Sequence, residues 1–181
     1  MCNPPPQRGN DTVSIELPSD IQKTRIERPA ALDELAIPVI APAEPDAAAL
    51  DALADILAEA KRPLLWLGNG ARHAGPGARR LMALGVGLIT SIHGRAVVPE
   101  DHPLSLGALG ATPEVVEFFR GVDLMIVAGS RLRGHETADG TLALPERRWR
   151  IDVDPAAANR GYSSQGLVSG RSEQHTPELP S

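Results

Sequence analysis

Apolar residues in this chain fall into short blocks, and the spacing inside the blocks alternates between two periods from Ala47 onward. Leu50, Leu53, Ile56, Leu57 and Ala60 recur at helical spacing. Asp46 stands ahead of them as a cap, while Lys61, Arg62 and Pro63 suit and then stop the carboxyl end of a helix. "LLWLG" follows as a continuous apolar run of strand length, the pattern of a strand covered on both faces. "GPGARRLMALGV" predicts a second helix with Leu81, Met82 and Leu84 inward and Gly85 as its stop. "VGLITS" reads as a second buried strand, and the loop-rich "IHGRAVVPEDHPLSLGALGA" comes after it. "TPEVVEFFRGV" predicts a third helix, with Thr112 as cap and Pro113 in its first turn. "DLMIVAGS" and "RWRIDVD" are further strands, and "GLVSG" predicts a short last one. Strands that alternate with helices specify βαβ units. The expected class is α/β, a doubly wound, mainly parallel Rossmann-like sheet with helices on both faces.

The ends of the chain follow a different pattern. Residues 1–10 carry three consecutive prolines among polar neighbours and predict disorder. "TVSIELP" alternates Val13, Ile15 and Leu17 on one side, a strand signal that Pro18 ends. Between Lys23 and Pro45 no period appears, and Pro29, Pro38, Pro42 and Pro45 mark an extended connector. A connector of that length inside one compact domain suggests a boundary. The division expected is therefore a start and strand at 1–22, a linker at 23–45, a main domain at 46–170 and a disordered tail at 171–181.

Composition narrows the function classes. A formal net charge of −5 argues against nucleic-acid binding, which needs a concentrated basic surface. Cys2 is the single cysteine, so neither an internal disulfide nor a cysteine zinc cluster can form. The first residues lack the apolar core of a signal peptide, and no run reaches the roughly 20 apolar residues of a membrane span. A cytoplasmic location with no membrane partner is the expectation.

In a parallel doubly wound sheet, ligands bind beyond the carboxyl ends of the strands. Four such ends carry polar or glycine-rich turns: Gly68-Asn69-Gly70, Thr90-Ser91, Gly129-Ser130-Arg131 and Asp152-Val153-Asp154. Glycine lets backbone N–H groups approach a pyrophosphate. Thr, Ser and Arg can bind phosphate, and a strand-end Asp can accept from ribose. Against that, Gly-x-Gly alone also serves a tight turn, and the third glycine of the full G-x-G-x-x-G spacing is replaced by His73. Both readings of the turn stay open. The five histidines, His73, His93, His102, His135 and His175, all fall in predicted loops or the tail, and none has the i, i+4 spacing of a helical metal pair. No metal ligands are expected. His102, in "PEDHPL", is expected to organise a turn. Asp152 and Asp154 share a strand face, and capping of the segment at Pro155 or ribose binding is expected of them. No nucleophile elbow or catalytic constellation appears, so no catalytic residue is assigned.

The segments "AKRPLLWLGNGARHAG", "GVGLITSIHGRAVVPEDHPLSLGALG", "DLMIVAGSRL" and "IDVDPA", in this order, resemble the central domain of thiamine-diphosphate-dependent enzymes of the acetolactate synthase and 2-keto acid decarboxylase superfamily. "PEDHPLSLG" is the most specific of them. The resemblance covers roughly residues 11–170, and "VSIELPSDIQ" is similar to the closing strand and exit of the family's pyrimidine-binding domain. It implies a chiefly structural domain whose crevice binds FAD or ADP in some members. Gly68, Gly70, Thr90, Gly110, Gly129, Arg131, Asp152 and Asp154 would line that crevice by the same resemblance. Flavin-binding members carry a His near the second glycine of "LGALG" and a Phe-Asp-Asp-Arg-like run after "GSR"; this chain has Ala108, Leu109 and Ala111, then Leu132-Arg133-Gly134-His135. Thiamine diphosphate and Mg²⁺ are implied for the family, but the Gly-Asp-Gly…Asn run that holds them does not occur in this sequence. The resemblance therefore implies a fragment that is silent alone, self-associating or docking on flanking domains. A stand-alone FAD or ADP module and an interaction subunit for separately encoded catalytic domains are the alternatives.

Overall fold

The computed structural model describes residues 16, 18–30, 33, 44–108, 112–159 and 161–170. The chain divides into two units, Met1–Ala41 and Pro42–Ser181. In the first, α1 (Ser19–Gln22) is a single exposed turn behind Pro18. The strand expected at Val13, Ile15 and Leu17 lies outside the described residues, as does the expected tail at 171–181.

The second unit holds a five-stranded, all-parallel sheet in the order β2-β1-β3-β4-β5. Its strands are β1 (Pro63–Leu67), β2 (Gly87–Thr90), β3 (Leu124–Ala128), β4 (Arg148–Asp152) and β5 (Gly166–Ser169). Central β3 is buried along its whole length, which explains why its sequence is an unbroken apolar run with no alternation. Its side chains nevertheless sort by parity. Leu124, Ile126 and Ala128 join Leu65, Leu67 and Leu88 on one face, where α2 (Ala47–Glu59) and α3 (Gly75–Ala83) pack through Leu53, Ala78 and Met82. Met125 and Val127 join Leu64, Trp66 and Ile89 on the other, against Val115 and Phe119 of α4 (Pro113–Arg120).

Local signals explain the ends of these elements. The Asp46 carboxylate accepts the Ala48 N–H at 3.2 Å and caps α2. Gly85, at φ +91°, provides the left-handed step after α3. Leu84 departs from expectation: it is 78% exposed, because α3 ends at Ala83 and Leu84 is already the capping residue. Thr112 occupies the cap position of α4, but its side chain accepts no capping hydrogen bond from the helix backbone. The loop after β2 is also more ordered than its sequence suggests. Leu88 donates to Leu104 O and Leu106 donates to Leu88 O, so residues around Ser105 run parallel along the outer edge of β2. His102 shapes this return, its Nδ1 accepting the Leu104 N–H at 3.2 Å.

Candidate functional site at the carboxyl edge

Strand order reverses between β1 and β3, since the chain moves from β1 outward to β2 and then back across to β3. In such sheets the crevice at this reversal is the place for a ligand. The two turns that border it are Gly68–Ala71 after β1 and Gly129–Ser130 after β3, and they lie in direct backbone contact. A Cβ on Gly68 would stand 2.3 Å from Gly129 O, and one on Gly129 would stand 2.4 Å from Ala71 N. Gly129 also takes φ +58°. Gly70 approaches the same residue, its Cβ position 2.9 Å from Gly129 Cα.

The amides of this turn are engaged within the protein. Gly68 N–H donates to Ala128 O and Gly70 N–H to Gly129 O, each at 2.9 Å; Ala71 N–H donates to Gly68 O at 3.0 Å. Gly129 N–H reaches Ile151 O on β4 at 2.9 Å. A phosphate needs such donors free and aimed outward. Here the glycines let one turn approach the other. With the N–H groups of Gly68, Gly70, Ala71 and Gly129 engaged in this way, these turns do not fit the diphosphate of thiamine diphosphate as free amide donors.

The remaining expected residues are placed as follows. Thr90 ends β2 beside Leu67, and its buried Oγ1 has no hydrogen-bond partner among the described residues. Arg131 is exposed beyond β3. Asp154 accepts the Ala156 N–H at 2.9 Å and caps the 3₁₀ segment Pro155–Asn159, while Asp152 accepts the Asp154 N–H at 3.0 Å and holds the turn that leads into it. Gly110 lies outside the described residues.

Sequence reasoning passed over Arg150, which is 1% exposed in the middle of β4. Its guanidinium donates to Ser130 O at 3.1 Å, Ser164 Oγ at 3.1 Å and Tyr162 O at 3.2 Å, tying the turn after β3 to the approach to β5. An arginine at the centre of the strand-like "RWRID" was the available signal, since a buried charge is kept only where partners surround it. Sequence reasoning also left apart His93, His135 and Glu136, which the topology brings together. Nearby is an open depression of about 430 Å³, bordered by Gly134, Thr137, Asp139 and Tyr162.

A parallel sheet reversing at β1/β3, with helices on both faces, defines a Rossmann-like α/β domain. Residues 50–173 match the family "Thiamine pyrophosphate enzyme, central domain", and the chain belongs to it. It is 32% identical over 90% of its length to the Pseudomonas aeruginosa protein named "Probable 2-ketoarginine decarboxylase AruI", covering 29% of that protein. It is 38% identical over 80% of its length to the acetolactate synthase isozyme 1 large subunit of Escherichia coli, covering 26% of it. A solved structure from Mycobacterium smegmatis, assigned provisionally as a thiamin diphosphate-dependent enzyme, matches 76% of this chain and 28% of its own, at 27% identity and a TM-score of 0.58. The chain thus spans about three tenths of the length of the relatives it matches.

Proposed function

We propose that this chain is the structural middle of an acetolactate-synthase-like enzyme. In this reading it holds flanking pyrimidine- and diphosphate-binding domains in register around thiamine diphosphate and Mg²⁺, and it turns over no substrate by itself. The carrying observation is the switch-point turn: its glycines and amides serve contacts between Gly68–Ala71 and Gly129, as a scaffold requires. Self-association or docking with such domains, in the cytoplasm, completes the proposal.

The test is an assay of the purified chain with thiamine diphosphate, Mg²⁺ and a 2-keto acid, pyruvate or 2-ketoarginine. No turnover is expected alone, and turnover above the protein-free rate overturns the reading. Binding of FAD or ADP at this edge is the competing reading, and the buried, unpartnered Thr90 Oγ1 is what favours it. A thermal melt separates the two. A ligand at 100 times its Kd stabilises the fold by about 2.7 kcal/mol, an easily resolved shift. The scaffold reading expects none with either nucleotide.

A further inference from the structure

The loops after β2 and β3 leave strands on opposite sides of β1, and they meet beyond its carboxyl end. His93 lies on the first, in the 3₁₀ turn Ile92–Gly94; His135 and Glu136 lie on the second, in the 3₁₀ turn Gly134–Glu136. Their nearest donor atoms all fall within 4.8 Å of one another. The two imidazoles sit edge to face, with ring centroids 6.4 Å apart and planes at 83°.

Both turns are fixed by their own backbones. Ser91 Oγ accepts the Gly94 N–H at 3.0 Å, and a Cβ at Gly94 would stand 2.4 Å from Leu67 O, which seats the first turn on the end of β1. In the second, Thr137 Oγ1 donates to Arg133 O at 3.0 Å, and Gly134 O accepts from both Thr137 and Asp139. Leu132, Ala138 and Asp139 bracket it at positive φ. Such backbone costs roughly 1–2 kcal/mol per residue and persists only where the surroundings impose it.

Glu136 makes this more than two neighbouring histidines. Its side chain is only 9% exposed, and its carboxylate Oε1 lies 3.8 Å from His135 Nε2. A carboxylate with this little access to water gains from a cation held beside it. His135 is 47% exposed, so its ring is free to turn toward a shared ion. Tetrahedral zinc with ligands at about 2.0–2.2 Å needs donors roughly 3.3 Å apart, a small closure from the observed spacing.

We propose that His93, His135 and Glu136 form a site for a zinc-class divalent cation. Two imidazole nitrogens and one carboxylate oxygen supply three ligands, and water completes the fourth position. The cation joins the loops on either side of β1 and so clasps the carboxyl edge over the Gly68–Ala71 turn. The site stands apart from the Mg²⁺ implied for the family, whose hard, oxygen-preferring chemistry these imidazoles do not suit.

The metal-stripped full chain is titrated with Zn²⁺ and, separately, with Co²⁺. One ion per chain is expected, with a zinc-dependent rise in melting temperature and the visible d–d absorption of low-symmetry Co²⁺. The double variant His93→Ala/His135→Ala loses both signals, Glu136→Gln weakens zinc binding by roughly tenfold or more, and His73→Ala retains it. Metal-free melts of all variants report whether the fold is intact. Absence of both signals in the unaltered chain, or their survival in the double variant, overturns the proposal.

Discussion

The two ends of this parallel sheet are held by different chemistry. At the carboxyl end, turns bond to turns: Gly68, Gly70 and Gly129 exchange main-chain hydrogen bonds with one another and with β3 and β4, at separations no side chain permits. At the amino end, side chains add to main-chain bonds such as Met125 N–H to Arg147 O at 2.9 Å. The Asp123 carboxylate, at the entrance to β3, accepts the N–H groups of Lys61 at 2.7 Å and Arg62 at 2.9 Å, at the entrance to β1. Arg148 donates to Leu144 O and Pro145 O, and Arg147 pairs with Glu59 at 3.1 Å. The amino end therefore tolerates small changes of shape, because a side chain can pivot. The carboxyl end cannot, because two backbones already touch.

The largest effect expected from this contrast is at Gly129. Alanine there adds a Cβ 2.4 Å from Ala71 N and 2.5 Å from Gly70 C, at φ +58°. Overpacking against rigid main chain and the left-handed penalty together cost about 3 kcal/mol. For a domain of this size that lowers Tm by about 10 °C in a thermal melt of Gly129→Ala. A loss below 2–3 °C would mean that the carboxyl-end turns yield as readily as side chains, and the contrast would be broken.

The centre of the sheet was legible because β1, β2 and β3 are four- or five-residue, largely apolar runs, and burial on both faces demands such runs. The cap at Asp46 and the stop at Gly85 were legible for a similar reason, since each depends on one residue's own chemistry. The use of the switch-point glycines was not. Gly-x-Gly reads the same whether a phosphate or another turn fills the space, and only the approach of Gly129 distinguishes the cases. The meeting of His93 with His135 and Glu136 was hidden because it depends on β2 and β3 flanking β1, a fact of topology rather than spacing. Leu84 misled because helical period was extended one residue past the end of α3. The left-handed backbones of Leu132, Ala138 and Asp139 leave no compositional mark.

A smaller effect tests the amino end. Asp123→Ala removes the acceptor for two backbone N–H groups in a solvent-exposed setting, where screening reduces the contribution to about 1 kcal/mol. Burial works against the Asp123 carboxylate, but the N–H groups of Lys61, Arg62 and Asp123 itself, with the charge of Arg147, outweigh it and hold its pKa below the usual range. A depressed folded-state pKa contributes stability that is present above the unfolded value, near 3.9, and is lost as pH falls through the lower folded value. The gap in Tm between Asp123→Ala and the unaltered chain is thus constant near neutrality and closes below about pH 4. A gap that persists unchanged into stronger acid would show that shape, rather than charge, ties the entrances of β1 and β3.

The smallest effect has the opposite sign and sharpens the same comparison from within one residue type. Gly77 lies in the first turns of α3, where a Cβ would have no heavy atom within 4 Å and the backbone is not left-handed. Glycine there only widens the unfolded ensemble. Gly77→Ala should stabilise by about 0.5–1 kcal/mol, a rise in Tm of about 2–4 °C. The added methyl is the same as in Gly129→Ala, so the difference between the two melts isolates what surrounds the glycine. If Gly77→Ala also destabilises, the glycines of this chain reflect composition more than position, and the close approach at the carboxyl edge loses its standing as the feature that organises the domain.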